Sequence, residues 1–196
     1  MTAAEGATGG TRCVSVVGIG NVLYRDEGVG VYAACYLQQA YRFTPELEVA
    51  DGALLGFGLM DFFEDGSTVI VLDTLLADAA PGAIYRLPTE RLLELGPDLT
   101  PTAHEVDPIH LLKRARALGH DTEMILLGIV PRDASEMAVG LTPALADAFP
   151  RFVKEALSEI RAQRVNAEPV RAISLDDVIH GVSALGHASQ GVGHST

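Results

Sequence analysis

Three short apolar runs constrain the fold of this chain more than any other feature. They occupy residues 14–17, 68–72 and 123–129, and runs of this length and composition are typical of strands that are covered on both faces. Two further strands are predicted at 47–50 and 83–87, the second at a sheet edge. Helical patterns separate the strands, so we expect an α/β protein with three α/β/α layers. Its mostly parallel, twisted sheet should have about five strands, with helices on both faces.

The turn between the first strand and the first helix is rich in glycine and acidic residues. It runs from Gly18 to Gly30 and contains Asp26 and Glu27. A dinucleotide-binding fingerprint that starts at Gly18 requires a glycine at position 23, which is Leu23 in this chain. Two carboxylates would also repel a pyrophosphate. The turn therefore suits a cation or a peptide amide better than a nucleotide.

Length and charge limit the class of protein further. The 196 residues suit one domain, and the net charge of −12 disfavours nucleic acid and anionic membranes as partners. No apolar run approaches the roughly 18 residues of a membrane span, and residues 1–12 do not resemble a signal peptide. We expect a cytoplasmic protein with a mobile segment at residues 1–12. The two isolated cysteines, Cys13 and Cys35, are interpreted as buried thiols.

Four residues that are able to act on a cation or a peptide follow predicted strands or lie in a loop at the same sheet edge. They are Glu27, Asp51, Asp73 and His104. In an open parallel sheet, sites form beyond the carboxyl ends of the strands. Carboxylates with an imidazole suit a zinc- or nickel-type ion. Purely structural roles are also compatible with the sequence. Glu27 is able to complement a helix dipole, Asp73 to cap the following turn, and His104 to be an exposed loop residue.

The C-terminal part of the chain is predicted to be less regular than the rest. Pro150 should kink or split the last long helix, expected at 142–164. Residues 165–196 are interpreted as a loose tail with one short helix at 174–186, which begins in a capping-box pattern from Ser174 to Asp177. Three tail histidines recur every seven residues, but nearby glycines argue against one continuous helix, and no metal role is expected for them. They are His180, His187 and His194.

The pattern Gly-x-Gly-Asn-x-Leu-x-x-Asp-Glu-Gly-x-Gly at 18–30 resembles the opening signature of the hydrogenase maturation endopeptidases. The resemblance covers roughly residues 13–160. It continues through Asp51-Gly52, Val71-Leu72-Asp73, His104-Glu105 and Leu127-Gly128-Ile129-Val130-Pro131. Ala53-Leu54 stands where the family commonly has Gly-Thr, and Thr102-Ala103 stands where a serine is usual. Both departures leave the candidate acids and the histidine in place.

This resemblance implies a peptidase domain at 13–164, classified in the family as aspartic-type. Such enzymes remove a C-terminal extension from the large-subunit precursor of [NiFe] hydrogenases after nickel insertion. The implied nickel contacts are Glu27, Asp73 and His104, with Glu27, Asp73 and Asp51 as the catalytic acids. Gly20 and Asn21 are expected to hold the substrate through their backbone. Nickel would arrive with the substrate, and we expect a monomer without a tightly held metal.

Two other functions remain compatible with the sequence. The protein is also suited to be a module that docks on the nickel-loaded large subunit without cutting it, because no organic nucleophile is evident. A second alternative is an ordinary metallohydrolase that keeps its own metal.

Overall fold

A computed structural model describes residues 13–94 and 107–190 of the chain. In these residues the strands are β1 (Val14–Gly18), β2 (Tyr41–Thr44), β3 (Glu48–Asp51), β4 (Thr68–Thr74), β5 (Ile84–Pro88), β6 (Glu123–Ile129) and β7 (Asn166–Pro169). The α-helices are α1 (Val29–Ala40), α2 (Gly52–Leu55), α3 (Thr89–Glu94), α4 (Pro108–Ala117), α5 (Pro143–Ala162) and α6 (Leu175–Gln190). Two 3-10 helices cover Arg25–Gly28 and Gly56–Phe62.

Within the described ranges, the main sheet has five strands in the order β3-β1-β4-β6-β5. The first four are parallel, and β5 pairs antiparallel with β6 at the edge. Helices α1 and α5 pack on one face and α4 on the other, where Phe152 and Leu112 are fully buried in two separate apolar clusters. Successive β4 residues Ile70 and Val71 enter opposite clusters. The mostly parallel three-layer α/β/α fold predicted from the sequence is therefore confirmed.

Strands β2 and β7 form a second, two-stranded antiparallel sheet that the sequence did not indicate. Phe43 lies opposite Ala167, which is 6% exposed. Val178 on α6 is fully buried in the same cluster as α1 and α5. The interpretation of residues 165–196 as a loose tail is thus wrong for residues 165–190, which pack on the domain, whereas 191–196 lie outside the described residues.

Helix α6 is longer than the predicted 174–186 and runs through Gly181 and Gly186 to Gln190. The capping box at its start is present, since the Asp177 N–H donates to Ser174 Oγ over 3.1 Å and the Ser174 hydroxyl donates to the Asp177 carboxylate over 2.7 Å. Packing of Val178 supplies the stabilisation that outweighs the low helix propensity of glycine.

Other local expectations also need correction. Helix α5 is not split at Pro150, because this proline lies on its exposed face while eight other residues of the helix are buried. The helical pattern between the second and third predicted strands forms mainly a 3-10 helix, Gly56–Phe62, and its glycines at 56 and 58 disfavour a longer α-helix. Cys13 is exposed and not buried, whereas Cys35 is partly buried.

Candidate functional site

The acidic turn is pressed against the carboxyl ends of β1 and β4. The Ile19 N–H donates to the Leu72 carbonyl over 2.8 Å, which extends the pairing of the two strands. A Cβ atom at Gly30 would overlap the carbonyl oxygens of Ile19 and Leu72. Only a glycine lets the first turn of α1 approach the strand ends so closely, which brings the neighbouring 3-10 helix into contact with β4.

Strand register brings two of the predicted acids to the same edge of the sheet. Gly18 on β1 lies opposite Asp51 on β3 and opposite Leu72 on β4, and Asp73 follows Leu72. Adjacent strands lie about 4.8 Å apart, so Asp51 and Asp73 flank β1 at roughly 10 Å from each other. Both acids therefore lie at the edge of the sheet that parallel topology predicts for them.

Asp73 is the more deeply buried of these two carboxylates. Asp73 is the next-to-last residue of β4, a strand that is buried along its whole length, and the residue is 1% exposed. Asp73 Oδ1 accepts the Thr74 N–H over 2.6 Å and lies 3.5 Å from the Thr74 hydroxyl. These contacts fix the orientation of the carboxylate.

Glu27 lies in the 3-10 helix between β1 and α1 and is 7% exposed. Its N–H donates to the Tyr24 carbonyl over 3.0 Å, and its own carbonyl lies against the α-carbon of Gly20. Gly20 has φ of +139° in this turn. The backbone on both sides of Glu27 is therefore tightly defined.

The proposed substrate-binding residues Gly20 and Asn21 begin the same turn. Asn21 is exposed, its side-chain oxygen accepts the Leu23 N–H over 3.0 Å, and its carbonyl accepts the Tyr24 N–H over 3.1 Å. The asparagine thus closes a local turn, which accounts for this residue type without a ligand.

Asp51 has an electrostatic neighbour that the sequence did not reveal. Burial, and then the negative charge of Asp51, raise the pKa of the Cys35 thiol to about 11. Cys35 is on α1, which packs along β3. At neutral pH this thiol is protonated and is not a nucleophile.

Asp26, which the sequence marks only as one of two acids in the turn, is held by partners far away in the chain. It is fully buried, and its carboxylate accepts hydrogen bonds from the backbone of Arg132, Asp133 and Thr142 and from the Thr142 hydroxyl. These partners lie more than 100 residues away, so no local pattern identified them.

The remaining predicted contact, His104, lies outside the described residues. Among residues 13–94 and 107–190, no three His, Cys, Asp or Glu side chains converge closely enough to hold a metal ion. His180 is exposed and its Nδ1 lies 2.6 Å from the Asp176 carbonyl; the other two tail histidines have no described side chain.

No α-helix in the described ranges is long and apolar enough to cross a membrane.

Comparisons with known proteins agree with this architecture. A family model described as HycI, hydrogenase maturation protease, matches residues 31–159. The hydrogenase 2 maturation protease of Escherichia coli K12 is 28% identical over 162 residues, which cover 82% of this chain and 98% of that protein. The hydrogenase expression/formation protein HupD of Rhodobacter capsulatus is 26% identical over 164 residues, 83% of this chain and 78% of that protein.

A solved structure gives the same result. The hydrogenase maturating endopeptidase HybD from E. coli superposes with a TM-score of 0.70 at 27% identity, over 80% of this chain and 96% of that one. Strand β7 and helix α6 lie beyond the segment that the family model matches. Since that model covers more than half of the chain, the chain belongs to the hydrogenase maturation protease family.

Proposed function

We propose that this protein is an endopeptidase that removes the C-terminal extension of a [NiFe] hydrogenase large-subunit precursor after nickel insertion. Nickel is part of the substrate in this scheme, and Glu27, Asp73 and His104 contact it. The observation that carries the proposal is the placement of Glu27 and Asp73, two nearly buried acids, beside the ends of β1 and β4. Relatives named as a maturation protease and a maturating endopeptidase support the reaction class.

The geometry favours a metal that is shared between two proteins. The described residues do not form a complete metal site, and in the proposed scheme His104 and the substrate supply the further ligands. Carboxylates that are already oriented, as Asp73 is by Thr74, need little reorganisation to accept a divalent ion. The buried position of the two acids strengthens their attraction for a cation.

Hydrolysis then requires the elements of one water molecule. Nickel that polarises the scissile carbonyl or the attacking water lowers the barrier to addition. Glu27 or Asp51 accepts the proton from water as the C–O bond forms. The C–N bond breaks, the proton passes to the leaving amine, and the large subunit keeps the new carboxylate.

The proposal is tested by replacing the two described acids without changing their shape. Glu27→Gln and Asp73→Asn should each slow release of the C-terminal peptide, measured by mass spectrometry, at least about 100-fold, since groups that merely support metal ligands already contribute 10- to 100-fold. Asp78→Asn, which alters an exposed carboxylate beyond β4, is the matched control. Unchanged rates in both site variants would contradict the assignment.

The same preparation distinguishes the alternatives. Wild-type protein that binds the nickel-loaded precursor but leaves it at full length would be a docking module. A stoichiometric metal in the isolated protein, detected by elemental analysis, would instead indicate a metallohydrolase with its own ion.

A further inference from the structure

The loop between β6 and α5, residues 130–142, is fastened directly to the segment that precedes Glu27. Tyr24 and Ala138 form a parallel bridge, and the Arg25 N–H donates to the Ala138 carbonyl over 2.8 Å. The Asp26 N–H donates to the Asp133 carbonyl over 3.1 Å. This β6–α5 loop therefore holds the backbone of the 3-10 helix from one side.

The side chain of Asp26 continues this attachment into the interior. Its Oδ1 accepts the Thr142 N–H over 2.7 Å. Its Oδ2 accepts the N–H groups of Arg132 and Asp133 over 2.8 and 3.0 Å, and the Thr142 hydroxyl over 2.9 Å. A fully buried carboxylate with four donors is strongly held in one position.

Thr142 makes this contact instead of the one that its position favours. It is the N-cap residue of α5, where a threonine hydroxyl ordinarily accepts a hydrogen bond from the first turn of the helix. Its side chain makes no such cap and donates to Asp26 instead. The Thr142 hydroxyl therefore stabilises the 3-10 helix that contains Glu27 and not the start of α5.

We propose that Asp26 and Thr142 are positioning residues for Glu27, and this inference rests on the proposed function. Asp26 precedes Glu27 directly in a four-residue 3-10 helix, so a shift of the Asp26 carboxylate moves the Glu27 backbone. Neither residue has to touch the substrate. They fix the position of the Glu27 backbone and thereby that of its carboxylate. Displacements of about 1 Å at such positions reduce rates by about 100-fold.

The experiment compares Thr142→Val with Thr142→Ser in single-turnover cleavage of nickel-loaded precursor. Valine keeps the shape and removes the hydroxyl, whereas serine keeps the hydroxyl. We expect Thr142→Val to lower the saturating rate about 10- to 100-fold and to raise the half-saturating concentration of nickel-loaded precursor, since Glu27 contacts the nickel in the proposed function. Thr142→Ser, which keeps the hydroxyl, should have a saturating rate within about threefold of the wild-type rate. Asp147→Asn, which alters an exposed carboxylate on α5, is the control and should change neither value.

Two results would overturn the inference. One is a Thr142→Val protein with lowered thermal stability and a wild-type saturating rate, which indicates a purely structural contact. The other is an equal loss of rate in Thr142→Ser. If Thr142→Val fails to fold, Thr142→Ala is compared with Thr142→Ser in the same way.

Failure of the proposed function gives a different pattern. If wild-type protein binds the precursor without cutting it, the affinities of Thr142→Val and Thr142→Ser are measured for precursor with and without nickel. The gain in affinity that nickel causes is then compared between the two variants. A gain that is lost in Thr142→Val and kept in Thr142→Ser supports positioning of Glu27, and equal gains contradict it.

Discussion

The α-carbon of Gly20 lies directly against the backbone carbonyl of Glu27. Any side chain at position 20 would overlap that oxygen, and φ of +139° is rarely adopted by other residues. The glycine-rich turn is therefore shaped around the backbone of Glu27, which gives a physical reason for its composition.

We expect Gly20→Ala to destabilise the protein by about 3 kcal/mol or more, because overlap and backbone strain act together. Its processing rate should fall more than its stability alone explains. Gly66→Ala is the control, since Gly66 also has a positive φ but no atom near its Cβ position, and it should lose only about 1 kcal/mol. Thermal unfolding and the cleavage assay measure both effects, and equal losses in the two variants would contradict the packing argument.

The two cysteines should differ strongly in reactivity. Because burial and the charge of Asp51 raise the pKa of Cys35 to about 11, only roughly one thiol in a thousand is ionised at pH 8. Iodoacetamide should modify the exposed Cys13 first, as followed by peptide mass spectrometry. Asp51→Asn should lower the pKa of Cys35 and speed its modification, whereas equal rates for both cysteines in the wild-type protein would contradict the described burial.

Helix α6 should contribute to the stability of the whole domain. Val178→Ala removes two methyl groups from a fully buried position, and we expect a loss of about 2 kcal/mol. Ala184→Ser on the exposed side of the helix should change the unfolding free energy by less than about 0.5 kcal/mol. Denaturant unfolding measures both values, and a Val178→Ala protein as stable as wild type would mean that α6 does not pack on the core.

The start of α6 should be sensitive to acid. Hydrogen bonds from the Ser174 hydroxyl and N–H lower the pKa of Asp177 below its ordinary value of 3.8. A carboxyl group with a lowered pKa in the folded state stabilises that state above the unfolded pKa, and this contribution is lost as the pH falls through the folded pKa. The protection of amides in the first turn of α6 against hydrogen exchange, relative to the intrinsic exchange rate at each pH, should therefore fall below about pH 4. Asp177→Asn should remove most of this dependence, and an unchanged acid response would refute the cap.

The three central strands of the main sheet, β1, β4 and β6, were predictable because each is a local apolar run of the kind that is buried on both faces. The pairing of β2 with β7 was not, because it joins residues such as Phe43 and Ala167 that lie far apart in the chain. Parallel topology predicted that Asp51 and Asp73 lie at the same edge of the main sheet. The role of Asp26 was hidden, because the backbone N–H groups and the hydroxyl that hold its carboxylate come from a loop more than 100 residues away in the chain.

Pro150 shows how tertiary packing overrides a local signal. Proline inside a helix costs about 3 kcal/mol, which favours a break when the sequence is considered alone. The proline faces solvent, where the carbonyl that loses its partner is able to bind water, and the opposite face of α5 is buried along the sheet. Burial of residues such as Phe149 and Phe152 outweighs the lost hydrogen bond.

The proposed function has Glu27 and its partners act on nickel carried by the precursor. Its most direct test is cleavage of one large-subunit precursor prepared with and without nickel, with the purified protein in excess and peptide release followed by mass spectrometry. We predict release of the C-terminal peptide only from the nickel-loaded precursor, and no release by the Glu27→Gln protein. Equal cleavage of the nickel-free precursor would contradict the account.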